Sequence, residues 1–197
     1  MRPLIRRLLI FIATVVSSPL WMWTRTMRAL TGGDESFVAC SEFLSLLPGR
    51  IGVYMRRGYY RFTLEAFSCD CQIAFGTTFT SSRVRIGSAV VIGKNCLVGR
   101  VNIADGTAIG SNVDILSGRH QHKVGGDEPI QYQQGTYIQL QFGRNSWIGN
   151  GAVVMADIGE GAVIGAGSVV VHAIPAHSVA VGNPAVVKKR TNHRVSA

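Results

Sequence analysis

The sequence predicts a mainly β fold, a parallel solenoid of short rungs, behind a helical N-terminal segment. Three observations carry this. An aliphatic residue followed by a small one returns every six residues: Ile86-Gly87, Ile92-Gly93, Val98-Gly99, then after a one-residue slip Ile103-Ala104, Ile109-Gly110 and Ile115-Leu116, and again Ile148-Gly149, Ile158-Gly159 and Ile164-Gly165. Four places past most of these stands a second small or β-branched residue: Val90, Cys96, Thr107, Val113, Ala152, Ala162 and Ser168. Glycine supplies 23 of 197 residues without a collagen period, which suits many tight corners.

A helix returns its apolar residues at three and four, a strand at two. A return at six fits a coil of flat rungs, with the aliphatic and the residue four places on pointing inward and Gly turning the corner between them. Stacked coils then bury a continuous column of Ile and Val. A β-sandwich of short strands is the competing fold, and nine matches in phase weigh against it.

The ladder resembles the hexapeptide-repeat acyltransferases. The resemblance rests on Val-Val-Ile-Gly-Lys-Asn at 90–95, Ser-Trp-Ile-Gly-Asn-Gly-Ala at 146–152, Val-Ile-Gly-Ala-Gly-Ser-Val-Val at 163–170 and Val-Gly-Asn-Pro-Ala at 181–185, and covers residues 65–190. It implies a left-handed parallel β-helix, the hand being the family's, since parallel crossovers are normally right-handed.

Composition narrows the partners. The net charge is +9 with only 16% charged residues. A basic chain suits nucleic acid, an anionic membrane or a phosphate-rich cofactor. No nucleic-acid motif is present, so nucleic acid is not expected. Of the four cysteines, Cys96 falls on an inward position, and Cys69-Asp70-Cys71 has the wrong spacing for zinc. A reducing compartment is the easier reading.

Three regions follow: a helical, membrane-associating or capping segment at 1–64, the β-helix at 65–187 with a loop at 121–136, and a basic tail at 188–197. Leu8 to Trp23 carries no charge, Trp21 and Trp23 stand near its end, and the first thirty residues hold five Arg and no acid. As a helix this stretch reaches about 24 Å, short of a ~30 Å hydrocarbon core, and Pro19 would bend or end it. A signal peptide, a full span with snorkelling Arg, and a helix lying in the headgroup region are the three membrane readings. A helix packed on the solenoid or on a neighbouring subunit is the alternative. The expected location is the cytoplasmic face of the inner membrane, peripheral or monotopic, against anionic lipid. Phe37–Leu47 reads as a short amphipathic helix, broken by Pro48-Gly49. Ile51–Leu64 mixes Tyr and Phe with Arg, as a lipid-facing helix or a cap over the first coil would.

The ladder breaks between His120 and Thr136, and a shortened rung stands at 154–157. An insertion in a solenoid is a loop on one face, often the binding face. His120, at the end of the last rung before that loop, is the candidate general base, with His122 its rival; a neutral imidazole suits proton removal near pH 7. The family resemblance points to the same His120. It also implies that Trp147, Asn150 and Ala166 line the pantetheine arm of coenzyme A. Val171 and His172 would then lie near the nucleotide end, with Lys188 or Lys189 reaching its phosphates. Relatives carry Thr-Lys where this chain has Val171-His172. The resemblance further implies a homotrimer with its sites between subunits.

The expected activity is transfer of an acetyl group from acetyl-CoA to a hydroxyl of a sugar in an exopolysaccharide, capsule or lipid-linked glycan. N-acylation of an amino-sugar is a near variant. A zinc carbonic-anhydrase-like enzyme needs a third His ligand, and none of the five His lies upstream in the ladder. A catalytically inactive membrane scaffold is the remaining alternative. No metal is expected. The Gln-rich stretch from Gln131 to Gln141 offers hydrogen bonds to sugar hydroxyls.

Overall fold

The structure, a computed structural model, describes residues 3–118, 129, 132–133 and 135–190. From Ala66 the chain winds into a parallel β-solenoid of about five turns with three flat faces. The first face holds β1 (Ala66–Phe67), β4 (Arg85–Ile86), β7 (Val101–Ile103) and β10 (Leu140–Phe142). The second holds β2 (Gln72–Ile73), β5 (Val91–Ile92), β8 (Ala108–Ile109), β11 (Trp147–Ile148), β13 (Val163–Ile164), β15 (Ser178–Val181) and β16 (Val186–Arg190). The third holds β3 (Thr78–Phe79), β6 (Leu97–Val98), β9 (Asp114–Ile115), β12 (Val153–Val154) and β14 (Val169–Val170).

Each two-residue rung turns one side chain in and one out, as strand alternation requires. Ile148 is buried and paired in register with Ile109 and Ile164, while Trp147 beside it is exposed. Every residue in the second inward set, from Val90 to Ser168, is buried. Burying an Ile or Val side chain fully is worth about 1.5–3 kcal/mol, so the stacked columns are the fold's main source of stability.

The corners correct one expectation. The glycines straight after the inward aliphatics do not turn the chain. Left-handed φ falls two residues later, at Ala89, Asn95, Asn112, Asn145, Gly151 and Gly167 among others. The glycines are small because coils stack closely: a Cβ on Gly149 would sit 2.5 Å from the Ala166 nitrogen of the next coil. Side chains from one coil also reach back to backbone N–H groups of the coil before, as Asn150 Oδ1 does in accepting from Ser111 N–H at 2.8 Å.

Four helices precede the solenoid: α1 (Pro3–Val16), α2 (Ser18–Thr31), α3 (Glu35–Ser45) and α4 (Gly49–Thr63). The last two are the expected helices to within a few residues, and they cap the first coil. A solenoid end exposes unpaired carbonyls. Arg56 lies fully buried in α4 and answers this with its Nε, which donates to the Ile73 carbonyl of the first coil, while its Nη1 donates to the Leu44 and Leu47 carbonyls at the end of α3. Arg57 Nε donates to the Cys71 carbonyl, and Phe79 N–H donates to Ser41 Oγ. Burial draws the Arg56 guanidinium below its ordinary pKa. Tyr60 packs edge-on against Phe79 at 4.8 Å between ring centres, continuing the solenoid core into the cap.

No helix among the described residues is long and apolar enough to cross a membrane; α1 and α2 form a pair bent by 55°. The bend falls at Ser17, with Pro19 in the first turn of α2, where its missing N–H costs least. Helix α1 packs on α4 where Ala13 meets Gly58; a Cβ on Gly58 would stand 2.7 Å from the Ala13 carbonyl oxygen. Its other side leaves Leu4, Leu8, Phe11, Ile12, Val15 and Val16 exposed. At the far end, β16 pairs antiparallel with β15 and carries the chain to Arg190, past the Lys188 at which a tail was expected to begin.

Candidate functional site

The irregular steps of the ladder converge on one edge. Inward residues are six apart across the first two corners of every coil, as in Ile86, Ile92, Val98 and in Phe142, Ile148, Val154. Every departure lies where the third face turns into the first. The step is seven from Phe79 to Ile86, five from Val98 to Ile103, four from Val154 to Ile158 and from Val170 to Ile174, and the long loop separates Ile115 from Phe142. Steps of unequal length leave this edge uneven, and concave surface forms along it; among the described residues a further cavity, of about 730 Å³, lies away from it, between α4 and the second face.

The loop root is firmly made. Ser117 Oγ accepts from Arg100 N–H at 2.9 Å, its carbonyl accepts from Ile138 N–H at 3.0 Å, and Gly118 N–H donates to the Leu116 carbonyl at 2.8 Å. Gly118 takes φ +91°, and a Cβ there would meet the Ile138 side chain at 2.7 Å, so only Gly serves. His120 and His122 lie outside the described residues, as does most of the loop at 121–136.

Two cavities flank this root. On its N-terminal side, about 490 Å³ is lined by residues including Arg28, Asp34, Arg83, Arg100, Ser117 and Tyr137. On its C-terminal side, about 480 Å³ is lined by residues including Gly118, Ile138, Met155, Asp157, Val171 and His172. Sequence reasoning missed the first cavity entirely. Its signal was the turn at 31–36, where Asp34 caps nothing in its own helix. Burial pushes the Asp34 carboxyl up, but hydrogen bonds from Ser82 N–H, Ser82 Oγ and Ser81 Oγ, with the Arg28 charge, hold it net below its ordinary value. The Arg28 Nε–Asp34 Oδ1 distance is 3.1 Å. Arg100 lies 5.3 Å above the Tyr137 ring.

The residues expected at coenzyme A fall in two places within one chain. Val171 and His172 line the C-terminal cavity. Trp147 stands on the second face; Asn150 and Ala166 sit at the corner between the second and third; Lys188 and Lys189 are exposed on β16, against β15 of the second face. Gln139 and Gln141 join a ladder on the first face: Gln139 Nε2 donates to the Arg83 carbonyl and to Asn102 Oδ1, and Asn102 Nδ2 donates to Gln141 Oε1. No group of three or more His, Cys, Asp or Glu among the described residues could hold a metal ion.

A three-faced parallel coil of hexad rungs, broken at one edge by a loop, defines the hexapeptide-repeat β-solenoid. No family model matches the chain. It is 46% identical over 112 residues to Nodulation protein L of Rhizobium leguminosarum bv. viciae, covering 53% of this chain and 56% of the relative. It is 38% identical over 112 residues to Nodulation protein L of Rhizobium meliloti, covering 53% and 58%. The chain thus spans little more than half the length of these curated relatives. Among solved structures, a maltose O-acetyltransferase from Clostridium difficile superposes with TM-score 0.69 at 23% identity, over 81% of this chain and 87% of that one. A hexapeptide-repeat-containing acetyltransferase from Vibrio cholerae gives 0.66 at 18%, over 81% and 93%. An N-acyltransferase from Bacillus cereus in complex with dTDP and coenzyme A gives 0.53 at 20%, over 62% and 71%. At these identities the likeness establishes the fold.

Proposed function

We propose that this chain transfers an acetyl group from acetyl-CoA to a hydroxyl of a sugar, with His120 as general base. The observation that carries the reading is the loop root between two cavities, one on each side, two residues before His120. A two-substrate reaction needs such an arrangement, because one imidazole must reach the attacking oxygen while the thioester lies opposite. The acceptor takes the N-terminal cavity and the pantetheine the C-terminal one, beside Val171 and His172. His120 removes the hydroxyl proton as the oxygen attacks the thioester carbonyl carbon. Backbone N–H groups stabilise the oxyanion. Collapse breaks the carbon–sulfur bond, and the departing thiolate takes the proton back from the imidazolium. The coenzyme A and acyl-CoA complexes among the structural neighbours support this donor, and the maltose O-acetyltransferase likeness supports a sugar acceptor.

A homotrimer belongs to the same reading. Trp147, Asn150 and Ala166 of one copy would complete the groove that Val171 and His172 begin in the next. Exposure of Trp147 and Val91 on a flat face supports it. The proposed place of action is an anionic membrane surface on the cytoplasmic side, reached through the uncovered apolar stripe of α1 together with Arg7 and Arg25 of α1 and α2.

The test is thiol release from acetyl-CoA with candidate glycans. His120→Ala removes turnover and leaves coenzyme A binding and the trimer intact, whereas His122→Ala retains activity. Near-normal turnover in His120→Ala would defeat the assignment.

A further inference from the structure

We propose that the N-terminal cavity is an anion site, built to hold an acceptor through a phosphate or diphosphate group. This rests on the reading of that cavity as the acceptor side, and it names the acceptor class: a sugar carried on a diphosphate rather than a free neutral sugar.

The argument starts from charge. Three guanidinium groups line the cavity, Arg28, Arg83 and Arg100, against one carboxylate, Asp34. Asp34 is already committed. It accepts from Ser81 Oγ at 3.0 Å, Ser82 N–H at 2.9 Å and Ser82 Oγ at 2.8 Å, and it pairs with Arg28. No carboxylate among the described residues pairs with Arg83 or Arg100; the ion pairs formed are Arg28–Asp34, Arg85–Glu65 and Arg144–Asp105. Glu65 lies within electrostatic reach of Arg83 but is itself paired with Arg85, so among the described residues positive charge is in excess at this concave edge, where it focuses potential. Neutral sugar hydroxyls do not require that charge; a phosphate does, and Arg matches it bidentately.

Positioning strengthens the case. Arg100 is held over the Tyr137 ring, its guanidinium carbon 5.3 Å from the ring centre, a contact that uses none of its N–H donors. Asp34 fixes Arg28 to the solenoid edge at Ser81 and Ser82. Arg28 and Arg83 also line a neighbouring cavity of about 730 Å³ that includes Arg25, Phe62 and one carboxylate, Glu65. The two cavities share Arg28, Gly32 and Arg83, so a diphosphate in the first would direct its remaining substituent toward the second. That substituent is a nucleoside or a polyprenyl chain, two sources of one chemistry.

Calorimetric titration of the full chain with inorganic pyrophosphate is the direct test. One site is expected, weakened at least tenfold in Arg100→Gln and Arg83→Gln, with affinity for coenzyme A unchanged. Arg100→Lys, which keeps the charge, guards against a folding defect and should recover part of the affinity. Acceptor kinetics then compare one sugar in free form, as its nucleoside diphosphate and as its polyprenyl diphosphate in detergent. At least a tenfold lower KM for a diphosphate form, lost in the Gln variants, supports the site, and the preferred form identifies the source. Absence of pyrophosphate binding, or equal KM for free and diphosphate sugars, overturns it. Acetyl transfer to a free sugar that both Gln variants leave untouched sinks the anion site alone. Arg100-dependent pyrophosphate binding without thiol release upholds the anion site and removes the acetyl-transfer reading instead.

Discussion

Asp34→Asn tests whether one carboxylate ties the helical cap to the solenoid edge. Its two oxygens accept three hydrogen bonds from Ser81 and Ser82 and face Arg28 at 3.1 Å. Hydrogen bonds to a charged acceptor contribute about 1.5–3 kcal/mol each, against about 1 for neutral ones. The Arg28 pair is partly exposed and adds at most about 1 kcal/mol. Asparagine keeps the shape, but one oxygen becomes an NH₂ donor that must face either Ser82 N–H or Arg28. The expected loss is about 2–3 kcal/mol, which for a chain of this size lowers Tm by roughly 4–12 °C. Asp34→Ala should cost more, because it leaves the Ser82 N–H without an acceptor. The pH dependence has a definite sign. The folded carboxyl titrates below its ordinary value of 3.8, so its stabilisation is complete above that value and is lost as pH falls below it. Differential scanning calorimetry of both proteins at pH 7, with urea midpoints followed downward from pH 5, reads both effects. Equal Tm at pH 7 to within about 1 °C, or a gap between the proteins that does not narrow below pH 3.8, would refute the tether.

Three further outcomes follow from the same structure. Ile148→Ala removes a fully buried side chain stacked between Ile109 and Ile164 and should cost about 2–5 kcal/mol by urea unfolding; a loss under about 1 kcal/mol would mean the column is loose. Burial raises the thiol pKa of Cys96 and pushes that of Cys71 up to about 11, while Cys69 is half-buried. Iodoacetamide at about pH 8 should therefore label Cys69 before either, as peptide mass mapping will show, and early labelling of Cys71 or Cys96 would contradict their place in the core. Leu8→Glu with Phe11→Glu, both at exposed positions of α1, should abolish cosedimentation with phosphatidylglycerol-containing vesicles without changing Tm; undiminished sedimentation would place any lipid contact elsewhere.

Much of the fold was legible in the sequence, because the inward hexad positions are set by local alternation and by volume. A rung buries mostly Ile or Val at one site, with Phe at Phe79 and Phe142 and Ala at Ala180, and Val, Cys, Thr, Ala or Ser four places on, so volume limits the choice. The same logic misread the glycines, since close stacking between coils is a relation between residues roughly sixteen apart and leaves no local signature. Arg56 and Arg57 were readable only as basic residues among aromatics. Their role depends on which carbonyls the first coil leaves unpaired.

By itself, the sequence determined that the chain coils, which residues fill the coil, and that His120 precedes a break in it. Tertiary structure alone decided that the slip at Val98–Ile103, the short rung at Val154–Ile158 and the long loop stack on a single edge. It alone brought Asp34 and Arg28 to Ser81, Ser82, Arg83 and Arg100 there. The physical reason is that winding converts a distance of one coil along the chain into a single strand spacing of about 4.8 Å in space. Irregularities scattered through the sequence thereby become neighbours, and a cleft opens where the repeat fails.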